Sequence, residues 1–147
     1  MTSLSPLMEE ILSHGGTVDL TVTGSSMWPM LCNRKSVVRL ASVKTPRKGD
    51  IPLYLRDNGV YTLHRIVACS GEEYVCCGDN QTFLEKGIRR DQILAVVTAF
   101  SRDGKRWHDC RKMSYRAYKC LWMWILPLRP VVSSLAVKAV RFIRRER

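Results

Sequence analysis

From Thr17 to Thr23 the chain alternates without a break: Val18, Leu20 and Val22 are apolar, while Thr17, Asp19, Thr21 and Thr23 are polar. Neighbouring side chains on an extended backbone point to opposite faces, so this pattern describes a strand with one face on a core and the other in water. A helix stripe would need a period near 3.6. Strand-like segments recur at 36–42 (SVVRLAS), 51–56 (IPLYLR), 60–70 (VYTLHRIVACS), 73–77 (EYVCC) and 92–100 (QILAVVTAF). Turn-forming clusters divide them: TPRKGD, RDNG, SGE and GDNQ. RDNG is expected to close a hairpin, because Asn and Gly accept positive φ. Ahead of the first strand, MTSLSPLMEEILSHGG reads as a short helix stopped by Gly15 and Gly16. The expected body is therefore mainly β.

At 147 residues the chain suits one domain with an appendage. Charge marks where the appendage begins. Residues 1–101 carry 11 Lys/Arg against 10 Asp/Glu, whereas residues 102–147 carry 13 against 3, so almost all of the net +11 lies in the last third. We therefore expect a body over 1–101 and a basic, amphipathic helical tail over 102–147. The longest apolar run in the tail, Cys120 to Leu128, is nine residues, far short of the roughly 20 that span a bilayer. Trp122 and Trp124 with flanking Arg and Lys suit a helix lying in a membrane interface, followed after Pro127 and Pro130 by a second basic helix. The same residues also suit helices packed on the sheet or on a partner protein. A neutral body and a tail with a large apolar face argue against nucleic acid, and no helix-turn-helix precedes the body.

The six cysteines contain no C-x-x-C pair and the three histidines are scattered, so no metal site is expected. Adjacent Cys76 and Cys77 point to opposite faces of a strand and are poorly placed to bridge. Reduced thiols fit a cytoplasmic protein. The amino-terminal stretch includes Glu9 and Glu10 and lacks the basic-then-apolar order of a signal peptide. The expected location is cytoplasmic, with peripheral attachment to the inner face of a membrane.

The first strand runs into GSSMWP at 24–29. A glycine there allows a sharp turn, so that the Ser26 hydroxyl and its own N–H can face a carbonyl laid beside the sheet. A serine becomes a nucleophile only when a base takes its proton. His64, in the apolar run VYTLHRI, is the side chain best suited to that work near neutral pH. In order along the chain, GSSMWP, KGDI, LHRIV and GDNQ resemble the four boxes of the signal peptidase I family and its relatives, the self-cleaving repressor peptidases. The likeness covers about residues 17–100. A histidine in the base position resembles the endoplasmic-reticulum and archaeal type, where the bacterial type has lysine.

The resemblance implies twisted antiparallel sheets forming a partly open barrel, with a short N-terminal helix and C-terminal helices. It makes Ser26 the nucleophile and His64 the base, and places Gly78, Asp79 and Asn80 in the Gly-Asp-Asn box. Either Glu85, six positions past Asp79, or Asp79 itself would orient the imidazole. Gly24, Ser25 and Met27 are the expected substrate-binding positions, with Trp28 meeting substrate or membrane. Asp50 is expected to fix a turn, and Pro52 to mark an edge strand. The implied activity is a serine endopeptidase that cleaves a precursor or leader peptide, bound by strand addition, through an acyl-enzyme and with no cofactor. The alternative is an inactive peptide-binding or regulatory module of the same fold.

Overall fold

The computed structural model describes residues 5–128. Helix α1 (Pro6–Ser13) starts where Ser5 Oγ accepts a bond from the Met8 N–H, and Pro6, which has no N–H to satisfy, takes the first turn. Nine strands follow: β1 (Thr17–Thr21), β2 (Val37–Ala41), β3 (Pro52–Leu55), β4 (Tyr61–Leu63), β5 (Arg65–Ser70), β6 (Glu73–Cys77), β7 (Glu85–Arg89), β8 (Ile93–Ser101) and β9 (Trp107–Asp109). Helix α2 (Met113–Ile125) follows β9 and runs into a single 3-10 turn, Leu126–Leu128, at the end of the described residues. The second basic helix expected behind Pro130 lies outside the described residues.

The fold is mainly antiparallel β, with a strongly curled, open half-barrel sheet, a short N-terminal helix and a C-terminal helix. That sheet has the order β1-β2-β8-β3-β4, with β9 also on β8; β5-β6-β7 form a second, three-stranded sheet. The alternation that begins at Thr17 is preserved in the β1–β2 register, Thr17 opposite Ala41 and Thr21 opposite Val37. Its inward residues join a main core with Leu12, Val38, Leu40, Leu53 and Phe100. A smaller core of Tyr54, Ile66, Tyr74, Cys76, Ile88 and Ile93 lies against the second sheet. Each fully buried aliphatic side chain contributes about 1.5–3 kcal/mol.

β3 is central, not an edge, which corrects the reading of Pro52. Pro52 opposes Val96 of β8, and Leu53 opposes Leu63 of β4 and Ala95 of β8. The proline is tolerated because it is the first residue of its strand, where one missing donor does not interrupt the ladder. Leu53 and Tyr54, on opposite faces, enter the two different cores, which explains the unbroken burial from Ile51 to Tyr54. The single run expected over 60–70 is two strands. Between them, His64 belongs to neither, and the chain passes there from one sheet to the other.

Two strands carry no period-two signal in the sequence. β7, EKGIR, buries only Ile88, and β9, WHD, is three residues on the rim of β8. β9 and α2 pack on the body: Tyr115 lies in the main core, its ring 5.7 Å from that of Phe100. Among the described residues no helix is long and apolar enough to cross a membrane.

Candidate active site

The turn after β1 is held from both sides. The Gly24 N–H donates to Asn33 Oδ1 at 2.9 Å, and Gly24 has φ of +95°, a conformation that side chains disfavour. The Trp28 N–H then closes onto Ser25 O at 3.1 Å. The Trp28–Pro29 peptide is cis. Met27, Met30 and Leu31 are buried in the main core and pin the segment, while Ser26 stays half-buried and Trp28 is exposed.

The loop after β6 clamps the backbone of this turn. The Asn80 N–H donates to Ser26 O at 2.7 Å and Asn80 Nδ2 to Ser25 O at 3.3 Å. A Cβ on Gly78 would lie 2.7 Å from Ser26 O and 2.8 Å from Gln81 Oε1, so only glycine allows this approach. Gln81 can swing away, but the Ser26 carbonyl cannot move without the turn that carries it. Gly78→Ala is therefore expected to cost about 1–3 kcal/mol, read as a lower urea midpoint. An unchanged midpoint would show that the two loops are not locked together.

Directly behind this contact, Arg65 is fully buried and every N–H of its guanidinium has an acceptor. Nε and Nη2 donate to Asp79 Oδ1 and Oδ2 at 2.8 and 2.7 Å; Nη1 donates to Gly49 O and Tyr115 Oη, both at 3.1 Å; and Nη2 also approaches Met30 Sδ at 3.3 Å. One side chain thus ties together the serine turn, the KGD turn, the GDN loop and α2. Burial alone would lower the Arg65 pKa, but its bonds to Asp79 and the charge of Asp79 outweigh that and raise it. Asp50 serves its own turn, accepting from the Arg47 N–H at 2.9 Å, and its backbone meets Ile66.

His64 precedes Arg65 and points the other way, as neighbours on extended chain do. Its ring is almost fully buried. Nδ1 lies 3.0 Å from Glu85 Oε1 and 3.2 Å from Tyr54 Oη. The Tyr54 hydroxyl donates to Glu85 Oε2 at 2.9 Å, Arg56 Nε donates to the same oxygen at 2.9 Å, and Arg56 Nη2 binds Oε1. Burial pushes the His64 pKa below its ordinary value; Glu85 opposes the shift and Arg56 adds to it. Glu85 feels a burial penalty that alone would raise its pKa, yet the bonds from Arg56 and Tyr54 and the nearby His64 hold it low. The two shifts together favour a neutral imidazole beside an ionised carboxylate near neutral pH.

Ser26, Met27 and His64 line one cavity of about 210 Å³. Arg56 and the stretch from Val60 to Leu63 supply one wall, and Val22, Thr23 and Gln81 close the space. Gly24 and Ser25, expected to contact substrate, lie outside this lining and shape the turn instead. Of the two acids considered for orienting the base, Glu85 is at the imidazole. Asp79 is not, because both of its oxygens are taken by Arg65. Among the described residues no hydrogen bond joins Ser26 Oγ to the His64 ring. Catalytic contacts are often long in unliganded sites.

Tyr54 and Arg56 are the site residues that sequence reasoning missed. They stand two apart at the end of IPLYLR, hence on one face, and a polar pair on a strand otherwise apolar was the available signal. No group of His, Cys, Asp and Glu able to hold a metal ion occurs among the described residues. No protein-family model matches the chain, and no curated protein is significantly similar to it.

Proposed function

We propose that this chain is a serine endopeptidase of signal-peptidase type that cleaves a precursor or leader peptide. The observation that carries this reading is the half-buried Ser26 sharing a cavity with His64, whose Nδ1 is engaged by Glu85. With Nδ1 protonated toward Glu85, the lone pair remains on Nε2. Ser26 Oγ attacks the scissile carbonyl as its proton passes to Nε2. The C–N bond then breaks as that proton goes to the leaving amine, and water, deprotonated by His64, releases the acyl group. No cofactor takes part.

β4 ends its sheet, and its residues line the cavity, so a peptide paired along β4 would pass Ser26 and His64. The exposed Met113, Leu121 and Trp124 of α2, with Leu128 just beyond it, support peripheral contact with a membrane, toward which the basic tail adds attraction. A non-catalytic peptide-binding module is the second reading, favoured by the missing Ser26–His64 hydrogen bond. A fluorophosphonate probe separates the two. The peptidase reading expects covalent labelling at Ser26 that fades as pH falls through the His64 pKa, below the ordinary 6.5 or so, because only the neutral ring can accept the proton. Ser26 unlabelled at any pH would leave the binding module.

A further inference from the structure

We propose that Arg56 is a positioning residue for the His64 base: through Glu85 it fixes which imidazole nitrogen carries the proton and how strongly the other one binds one, a role that is catalytic only if the peptidase reading above holds. The Glu85 carboxylate offers about four acceptor sites, and four donors meet it: two from Arg56, the Tyr54 hydroxyl and His64 Nδ1. A guanidinium on both oxygens prevents the carboxylate from rotating, so Oε1 stays aimed at Nδ1. Tyr54 has one proton and gives it to Glu85, leaving Nδ1–H as the donor that satisfies its own contacts with Glu85 and Tyr54. The Nε2 lone pair is then the one left for a substrate-activated serine.

Arg56 also opposes the charge of Glu85. An imidazole beside a bare carboxylate gains basicity, whereas here the cation partly cancels that gain and the ring is more than nine-tenths shielded from water. The other groups near this cluster do not substitute for Arg56. Cys76 of β6 is pushed up to about 12 by burial and stays a neutral thiol, and Asp79 is engaged by Arg65. The Arg56 side chain, about one-third exposed, also forms part of the cavity wall shared by Ser26 and His64.

Long-range ¹H–¹⁵N NMR on the full chain reads this directly, since only His14, His64 and His108 contribute imidazole signals. The wild-type protein is expected to show His64 as the Nδ1–H tautomer. In Arg56→Gln the His64 titration midpoint should rise by about one pH unit, because the opposing cation is gone. Arg56→Lys should keep the low midpoint while showing mixed tautomers, since an ammonium cannot bridge both carboxylate oxygens. An Nε2–H tautomer in the wild type, or an unmoved midpoint in folded Arg56→Gln, overturns the proposal. If Arg56→Gln does not fold, Arg56→Lys decides: a tautomer signal identical to wild type overturns the positioning role. Wild-type protein with the expected imidazole behaviour but no fluorophosphonate labelling would lose the peptidase reading and keep this one.

Discussion

Ser26→Ala and His64→Ala are each expected to lower kcat/KM for a precursor peptide by about 10⁴-fold or more, with the fold retained. Under the proposed mechanism the two side chains form one unit, so the double variant should be little worse than either single one. Glu85→Gln should fall nearly as far for a different reason. Its amide can turn an N–H toward Nδ1, which shifts the ring proton to Nε2 and blocks the nitrogen that must accept from Ser26. Stability separates these effects from simple damage. Ser26 is half-buried and its hydroxyl does not stand in the core, so its loss should change unfolding free energy by no more than about 0.5 kcal/mol. Cleavage by Ser26→Ala at the wild-type rate would end the catalytic proposal, whatever the geometry of the cavity.

The sequence made the β architecture readable wherever one face of a strand is buried and the other wet. β1 and β2 have that character, and their alternation predicts their pairing faces. The pattern weakens where both faces are covered. In β3, Leu53 and Tyr54 serve separate cores, so the alternation disappears and Pro52 reads as an edge marker in the middle of a sheet. β7 and β9 were invisible for the opposite reason: they bury too little to leave a pattern.

The candidate site divides in the same way. Ser26 and His64 were legible because their residue types carry intrinsic chemistry, and the order of short motifs drew attention to both. The partners of Glu85 were not, since Tyr54 and Arg56 meet it across about thirty residues of chain, and no local rule links them. Asp79 shows the converse, a motif acid that the fold pairs with Arg65 and not with the imidazole. An acid beside a glycine and an asparagine in a motif suggests catalysis, yet its charge is matched by the buried guanidinium of Arg65, next in sequence to His64. Two adjacent residues, His64 and Arg65, thus divide the work, one facing the cavity and the other the scaffold.

That scaffold should respond to mutation more than any other polar contact. Replacing Arg65 with Met leaves the Asp79 carboxylate buried without its partner, and replacing Asp79 with Ala leaves a buried cation; each is expected to cost about 3–5 kcal/mol in urea unfolding. Against a typical total of about 5–15 kcal/mol, either loss removes a large share of stability. The penalty comes mainly from the orphaned charge. The double variant Arg65→Met/Asp79→Leu, which removes both charges and fills the space with apolar atoms, should therefore be more stable than either single variant. It should still fall short of wild type, because Gly49 O and the Tyr115 hydroxyl lose a donor that no methionine replaces. The same reasoning predicts where the damage spreads. Tyr115 is the buried anchor of α2, so the single variants should make α2 more open to proteolysis before the paired strands β1 and β2, to which Arg65 makes no hydrogen bond. Single variants that unfold at the wild-type urea midpoint would show that the four motifs are held by apolar packing alone and that the buried ion pair contributes nothing to their convergence.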